Sequence, residues 1–213
     1  MTSSIKIICL SVFLSTCQQK ETPSAITENT LNPEVENNDC DNPDAEINCC
    51  FASMPTNLTS LMTIPNSDGN SERLIIEGTI YRNDEKTPYS DVILYAYHTD
   101  SKGEYSKNGK ETGVQKWHGS HHGWCKTDKN GNYRIETIRP ASYPNSTAPA
   151  HIHAAIKLPD NNTPFYITDF LFKDDPNLPK NQQNRFSYQG GSGIVDVTKK
   201  DKVWYGNRNL VLK

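Results

Sequence analysis

Residues 123–138 read Gly-Trp-Cys-Lys-Thr-Asp-Lys-Asn-Gly-Asn-Tyr-Arg-Ile-Glu-Thr-Ile, and they carry the clearest fold signal in the chain. The dipeptide Asn130-Gly131 is typical of a tight β-turn, because both residues accept the positive backbone φ that such a turn requires. The flanking residues, 123–127 and 132–138, are rich in the branched and aromatic types that favour strands. Together these features predict a β-hairpin.

Similar short β patterns recur along the rest of the chain, separated by loops such as residues 83–88, which combine Asn, Asp and Pro. The sequence shows no long amphipathic helical pattern and no internal repeat. The spacing therefore predicts an all-β fold in the form of an antiparallel β-sandwich. The predicted strands are residues 74–81, 91–98, 123–127, 132–138, 151–158, 165–172, 194–197 and 209–212.

The size and charge of the chain limit the classes of function. It has 213 residues, a formal net charge of -3 and an isoelectric point near 6.1. This length suits one domain with a substantial core and an unstructured end. Lysine and arginine are scattered, so the chain offers no basic field that would attract nucleic acid. DNA and RNA are therefore not expected as partners.

The first 17 residues have the pattern of an export signal. A lysine precedes the apolar stretch 7–14, which is too short to cross a bilayer as a helix of the mature protein. Residues 14–17, Leu-Ser-Thr-Cys, resemble a bacterial lipoprotein cleavage site, although Thr16 is bulkier than the residue usual before the cysteine. The pattern predicts lipidation of Cys17 and a lipid-anchored protein of the bacterial cell envelope. Ordinary export, giving a secreted or periplasmic soluble protein, is the alternative.

A change of composition marks the segment that follows the signal. Residues 18–38 are rich in Glu, Asn, Thr, Ser and Pro and contain few large apolar side chains. Such a segment cannot bury enough apolar surface to offset the entropy lost on ordering, so a disordered tether is predicted. Residues 39–213 then form the single folded domain.

The cysteines of the proposed domain divide into two groups. An exported chain permits disulfides, and Cys40 paired with either Cys49 or Cys50 would staple the start of the domain. Cys125 lies in an apolar strand pattern and is predicted to be a buried free thiol.

Residues 149–153, Pro-Ala-His-Ile-His, are the most informative stretch for chemistry. In an extended strand alternate side chains share a face, so His151 and His153 can bind one ion. Tyr143 lies shortly upstream and adds a phenolic oxygen, which a strongly Lewis-acidic cation must deprotonate before it binds at neutral pH. The alternative interpretation of these residues alone is a His-x-His pair that lies on an exposed strand and binds no metal.

Five short motifs follow one another through the middle of the chain. They are Gly103-Glu104-Tyr105, Thr127-Asp128-Lys129-Asn130-Gly131-Asn132-Tyr133, Thr137-Ile138-Arg139-Pro140, Tyr143-Pro144 and Pro149-Ala150-His151-Ile152-His153. In this order they resemble the pattern of the intradiol ring-cleavage dioxygenases, and the resemblance extends over about residues 74–176. The ordered series is far more specific than any one motif.

The resemblance implies a β-sandwich with an immunoglobulin-like or transthyretin-like topology and Fe(III) as the cofactor. Four residues match the iron ligands of the family: Tyr105, Tyr143, His151 and His153. Tyr143 and Tyr105 are also the implied catalytic residues. The implied substrates are a catechol and O2, and cleavage between the two hydroxylated carbons gives a muconate-type dicarboxylic acid. Family members commonly associate, so the resemblance also allows a homo-oligomer.

The departures from the family pattern concern the substrate more than the metal. Many members carry an arginine immediately before the Pro-Ala-His-Ile-His segment, where this chain has Ala148. An arginine is also frequent before the Thr-Asp motif, where this chain offers histidines and a tryptophan instead. We predict that His122 and Trp124 line the substrate pocket, with a solvated loop as the alternative.

Two further functions remain open from the sequence. One is a noncatalytic module that uses the iron site to sequester iron or a catechol, which the missing arginine favours. The other is a transthyretin-like carrier or structural domain whose His-x-His pair binds no metal. Measured metal content distinguishes the transthyretin-like domain, which binds no metal, from the enzyme and the binding module. O2 uptake with catechol distinguishes the enzyme from the binding module.

Overall fold

The computed structural model describes residues 40–65, 69, 71–179 and 189–213. The predicted signal peptide at 1–17, its lipidation site Cys17 and the tether at 18–38 lie outside the described residues and stay predictions. Within the described part, no helix is long and apolar enough to span a membrane.

Strands make up nearly all of the regular structure, so the prediction of an all-β fold is confirmed. Two short helices accompany them in the described part, a 3-10 helix at Ile47–Phe51 and helix α1 at Gln115–His118. The strands are β1 (Leu61–Thr63), β2 (Arg73–Tyr81), β3 (Ile93–His98), β4 (His122–Lys126), β5 (Asn132–Ile138), β6 (His151–Leu158), β7 (Asn161–Tyr166), β8 (Phe170–Phe172), β9 (Ile194–Lys200), β10 (Val203–Asn207) and β11 (Leu210–Val211).

The strands form one sheet that nearly closes on itself. Their order is β1-β5-β2-β10-β9-β8-β6-β3-β4, with β11 beside β2 and β7 beside β6. The two end strands lie next to each other, because the backbone N–H of Lys126 in β4 donates to the carbonyl of Thr59, just before β1, over 2.8 Å. Few strand edges are therefore left open in the described part.

The sheet is mixed, which corrects the purely antiparallel sandwich expected from the sequence. Strand β2 runs parallel to β10 and β11, β1 runs parallel to β5, and β8 runs parallel to β9, whereas the remaining pairs are antiparallel. Partners that lie far apart in the chain are joined by long connections, so no tight turn forces them to run in opposite directions.

The hairpin predicted at residues 123–138 is wrong in its pairing, although its turn is present. Gly131 has a φ of +73°, and its N–H donates to the carbonyl of Asp128 over 2.9 Å. The flanking strands then part, since β4 pairs with β3 and β5 pairs with β2. Cys125 of β4 and Ile135 of β5 are buried in the same core. Burying both side chains between the halves of the sheet outweighs the local tendency of neighbouring strands to pair.

The main core lies between the two halves of the nearly closed sheet. Ile76 of β2 and Ile135 of β5 are buried there together with Ile152 of β6. Because side chains alternate along a strand, the neighbours of Ile152, which are His151 and His153, point to the opposite, outer face. Alternation in β6 therefore places both histidines on one accessible face.

A smaller core covers part of the same outer face. The 3-10 helix packs there against Tyr95 of β3. A disulfide joins Cys40 to Cys49, which selects one of the two pairings that the sequence left open. Cys50 and Cys125 are buried free thiols, as predicted for Cys125.

Candidate metal centre

The two predicted tyrosine ligands lie on loops, Tyr105 after β3 and Tyr143 after β5. Hydrogen bonds tie these loops together at their bases. The hydroxyl of Thr99 donates to the carbonyl of Ala141 over 2.7 Å, and the N–H of Ala141 donates to the carbonyl of Asp100 over 3.0 Å. The two tyrosines are thus carried by one joined pair of loops.

Gly103 is a point of close approach between these loops. Its φ is +83°, and a Cβ at this position would lie 2.0 Å from the carbonyl oxygen of Ser142. A side chain fits neither the backbone conformation nor the space, so only glycine is accommodated. Because Ser142 precedes Tyr143 and Gly103 lies two residues before Tyr105, this contact fixes the two tyrosines relative to each other.

The four predicted ligands bring their polar atoms together. The hydroxyl oxygens of Tyr105 and Tyr143 lie 2.7 Å apart. The same oxygen of Tyr143 lies 3.2 Å from Nε2 of His151 and 3.2 Å from Nε2 of His153, and the two Nε2 atoms are 3.0 Å apart. Separations near 3 Å are expected for donor atoms that share one ion at bond lengths of about 2.1 Å. The arrangement therefore fits a single metal ion.

The chemistry of the donors narrows the choice of ion. Imidazole suits several transition metals, whereas phenolate is a hard ligand that suits an oxidised, strongly Lewis-acidic ion such as Fe(III). Burial raises the pKa of Tyr143, and burial together with the hydrogen bond to Tyr143 raises the pKa of Tyr105. Both phenols therefore stay protonated at neutral pH unless a cation displaces the proton.

Each histidine has an oxygen acceptor for its outer ring nitrogen. Nδ1 of His151 lies 2.7 Å from the carbonyl oxygen of Pro149, and Nδ1 of His153 lies 3.1 Å from Oδ1 of Asp169. Protons held on Nδ1 leave both Nε2 atoms free to bind a metal. Burial and the neighbouring His153 also lower the pKa of His151, which favours its neutral form.

Asp169 is the residue of this site that sequence reasoning missed. Its carboxylate forms a group with His151 and His153 in which the ligand atoms all lie within 4.8 Å of one another. The sequence predicted one strand over residues 165–172, but the structure breaks it into β7 and β8, and Asp169 lies in the break. No sequence signal marks this break. The pairing of β8 with the start of β6 brings Asp169 to His153.

A cavity of about 370 Å³ opens beside His153. Tyr97 forms one wall and stacks on His153 with ring centroids 4.7 Å apart. The volume is sufficient for a small aromatic molecule. The described residues that line this cavity are Tyr97, His153, Tyr166, Ile167, Thr168, Asp169 and Leu171.

His122 and Trp124, whose role in lining the substrate pocket stays a prediction, do not line the cavity beside His153. Both line a second cavity of about 240 Å³. Strand β3 runs between β4 and β6, and its Tyr97 is opposite His122 on one side and His153 on the other. Residues two strands apart are separated by roughly 10 Å. The structure therefore does not bring His122 and Trp124 to the cavity beside His153.

The position of the missing arginine is Ala148, which lies in the loop before β6. Its N–H donates to the hydroxyl of Ser146 over 3.1 Å. Of the described residues that line the larger cavity, none is lysine or arginine. No basic residue in the described lining therefore replaces the arginine that the family carries at the position of Ala148.

A nearly closed mixed β-sheet that gathers two phenols and two imidazoles on its outer face has the architecture of a ring-cleaving dioxygenase. The chain belongs to the intradiol dioxygenase family, since residues 50–187 match the family model described as Dioxygenase. The resemblance found from the ordered motifs is thereby confirmed.

One curated relative is catechol 1,2-dioxygenase from Acinetobacter baylyi (strain ATCC 33305 / BD413 / ADP1). It is 39% identical over 77 residues, which make up 36% of this chain and 24% of that protein. The chain thus matches less than a quarter of the length of that relative.

Several solved structures share the fold. The dioxygenase domain of a dioxygenase carbohydrate-binding protein fusion from the cellulolytic bacterium Streptomyces sp. SirexAA-E has a TM-score of 0.54 at 18% identity, covering 75% of this chain and 92% of that one. Catechol 1,2-dioxygenase from Acinetobacter sp. ADP1, inhibited by bound mercury, has a TM-score of 0.53 at 23% identity and covers 73% of this chain and 57% of that one. At these identities the likeness concerns the fold.

Proposed function

We propose that the protein is an Fe(III)-dependent intradiol dioxygenase that cleaves a catechol between its two hydroxylated carbons with O2 and releases a muconate-type dicarboxylic acid. One observation carries the proposal: two phenol oxygens and two imidazole nitrogens converge, each within 3.2 Å of at least one other. Family membership and the aromatic-walled cavity beside His153 support it.

The ligands of the ferric ion in this proposal are Tyr105, Tyr143, His151 and His153. When bound, the ion supplies Lewis acidity and a template that orients the two substrate oxygens. Tyr143 is the ligand whose oxygen contacts three of the other donor atoms, and we assign to it the acceptance of one substrate proton. The oxygen of Tyr105 contacts that of Tyr143 but neither imidazole nitrogen, and we assign to Tyr105 the role of a ligand that stays bound.

The walls of the cavity position the substrate ring. Tyr97 lies between His118 and His153, with ring centroids 3.6 Å and 4.7 Å away respectively. These two stacked rings fix the position of Tyr97, which therefore forms a rigid wall of the cavity. Leu171 adds an apolar contact in the same lining, which helps to exclude water.

The test uses the purified full chain loaded with Fe(III). We expect a visible phenolate-to-iron absorption band, a shift of this band when catechol is added without O2, and uptake of O2 with formation of a muconate-type product when air is admitted. Absence of the band in iron-loaded protein would refute the metal assignment. A band that no catechol shifts would refute the substrate class.

A second candidate function is a noncatalytic module that binds iron or a catechol. It is favoured by one observation, the lack of lysine and arginine among the described residues that line the cavity, together with Ala148 at the family's arginine position. A band shift with catechol that is followed by no O2 uptake distinguishes this module from the enzyme. A transthyretin-like carrier that binds no metal would give no band.

We also propose that a lipid on Cys17 anchors the domain in the bacterial cell envelope, with residues 18–38 as the tether. The sequence pattern at residues 14–17 supports this. Mass spectrometry of protein from the membrane fraction is expected to find the acyl chains, and Cys17→Ala is expected to lose them. Unmodified protein in the soluble fraction would contradict the anchor.

A further inference from the structure

The larger cavity carries a negative charge on its wall, and this points to the type of catechol that it accepts. We propose that Asp169 makes the site select catechols with a positively charged substituent, such as an alkylammonium group, over catechols with a carboxylate. The inference rests on the proposed function, because it assumes that the cavity beside His153 receives the substrate.

The position of Asp169 is the first observation. The residue lies between β7 and β8, lines the cavity, and places Oδ1 3.1 Å from Nδ1 of His153. Its side chain is 36% exposed, so the carboxylate borders the space that is open to a ligand. A substituent on a ring bound beside His153 therefore meets this carboxylate at short range.

The second observation is that no lysine or arginine occurs among the described residues that line the cavity. The guanidinium of Arg208 lies behind the wall, where it is buried and donates to the carbonyls of Thr168 and Gly190 over 2.9 and 3.1 Å. The charge of Arg208 interacts with that of Asp169 through the protein interior. The side chain is only 5% exposed and is absent from the described lining, so it offers no cationic contact to a ligand in the cavity.

The aromatic walls are the third observation. Tyr97 and Tyr166 both line the cavity, and Tyr166 is 45% exposed. The face of a tyrosine ring attracts an ammonium group through its quadrupole, in addition to the attraction of a nearby carboxylate. The carboxylate of Asp169 beside the exposed ring of Tyr166 is thus suited to an organic cation, and it repels an anion.

The test compares three catechols that share a two-carbon substituent at the same ring position: dopamine, 4-ethylcatechol and 3,4-dihydroxyphenylacetate. Each is titrated without O2 into the iron-loaded full chain, and the dissociation constant is taken from the absorption band. We expect dopamine to bind about fivefold more tightly than 4-ethylcatechol, and 3,4-dihydroxyphenylacetate to bind about fivefold more weakly than 4-ethylcatechol. These factors follow for a ligand charge roughly 6 Å from the charge of Asp169 at a dielectric constant of about 60. These differences should shrink to about twofold at an ionic strength of about 0.5 M.

Asp169→Asn keeps the size of the side chain and removes its charge. In the unmodified protein the dissociation constants of dopamine and 3,4-dihydroxyphenylacetate should differ roughly 25-fold. We expect this difference to fall to within about threefold in the variant. Asp196→Asn is the matched control, since it removes an exposed carboxylate on β9 and should keep the full difference.

The outcomes separate the two proposals. Equal binding of the three catechols to the unmodified protein, or a preference that survives Asp169→Asn, overturns the role of Asp169 and leaves the proposed function standing. If none of the three shifts the band, the proposed function fails and the charge preference fails with it. Should Asp169→Asn fold poorly, the ranking in the unmodified protein and its dependence on salt still decide the matter.

Discussion

The hydroxyl oxygens of Tyr105 and Tyr143 lie 2.7 Å apart, although 38 residues separate the two tyrosines in the chain. The two belong to different loops, and neither lies in a strand. Their approach is produced by contacts between the loops, above all at Gly103. Two phenols of raised pKa in contact, next to two imidazole nitrogens, form a set that a strongly Lewis-acidic ion would stabilise.

Replacing either tyrosine with phenylalanine tests this set. In Tyr105→Phe and Tyr143→Phe we expect loss of most of the visible absorption of the iron-loaded protein, because one phenolate is removed. Turnover of catechol should fall by about a hundredfold or more in Tyr143→Phe, since that oxygen also accepts a proton. Tyr205→Phe, on the exposed surface of β10, is the control and should leave the spectrum unchanged. A normal band in Tyr105→Phe and Tyr143→Phe would rule out coordination by these residues.

The contact at Gly103 gives a second prediction. Gly103→Ala places a Cβ 2.0 Å from the carbonyl oxygen of Ser142 and should push the two loops apart, so we expect iron content to fall several-fold. Gly109→Ala is the matched control, because Gly109 has a similar φ of +82° but no atom within 4 Å of the added Cβ. Metal analysis of both variants after identical loading makes the comparison. Equal iron content in the two would show that the loops do not depend on this contact.

The buried histidine of β3 predicts a dependence of stability on pH. His98 is fully buried, with Nδ1 2.7 Å from the carbonyl of Thr99 and Nε2 2.7 Å from the hydroxyl of Thr137. Burial lowers its pKa to about 3, so the folded protein keeps the ring neutral while the unfolded chain binds a proton below about pH 6.5. The contribution of this neutral histidine to the free energy of unfolding is fully present above pH 6.5. It falls by about 1.4 kcal/mol per pH unit as the pH decreases toward 3.

The measurement is urea unfolding between pH 7 and pH 4. His98→Gln keeps a neutral side chain that can form hydrogen bonds, and we expect it to lower the free energy of unfolding. The number of protons taken up on unfolding, which sets the slope of stability against pH, should fall by about one in this variant. Parallel pH profiles for the variant and the unmodified protein would assign the acid sensitivity to other groups.

The disulfide predicts a loss of stability on reduction. Cys40 and Cys49 close a short loop that ends in the 3-10 helix against β3. Opening a loop of this length should lower the free energy of unfolding by about 2–3 kcal/mol. Thermal unfolding with and without a reductant measures this change. A Cys40→Ser/Cys49→Ser variant should already show the loss and respond no further to the reductant, and any remaining response would implicate another disulfide.

The predicted donor set rests in part on a local signal, the His-x-His pair, and in part on the family resemblance. His151 and His153 share a face in any extended strand, and the tyrosines belong to motifs whose order is specific. The strand content was also predictable, since branched and aromatic residues favour strands wherever those strands pair. The shared face of the two histidines and the strand content do not depend on which strands become neighbours.

The features that could not be predicted from the sequence depend on which strands become neighbours. Asp169 reaches His153 because β8 pairs with the start of β6, and His122 is kept away because β3 runs between β4 and β6. The turn at Asn130-Gly131 formed as its residues dictate, yet its two strands joined different partners. Pairing between distant segments is decided by burial in the whole domain, which no local pattern records.

The parallel pairing of β2 with β10 and β11 has a consequence for folding. Arg73 lies opposite Val203, and Tyr81 lies opposite Val211, so β2 completes its pairing with residues about 130 positions further along the chain. Long-range pairing of this kind is slow, and folding times of milliseconds to seconds are expected. A nascent chain therefore cannot close its sheet until residues 203–211 are available to pair, and until then β2 exposes an edge that is open to aggregation.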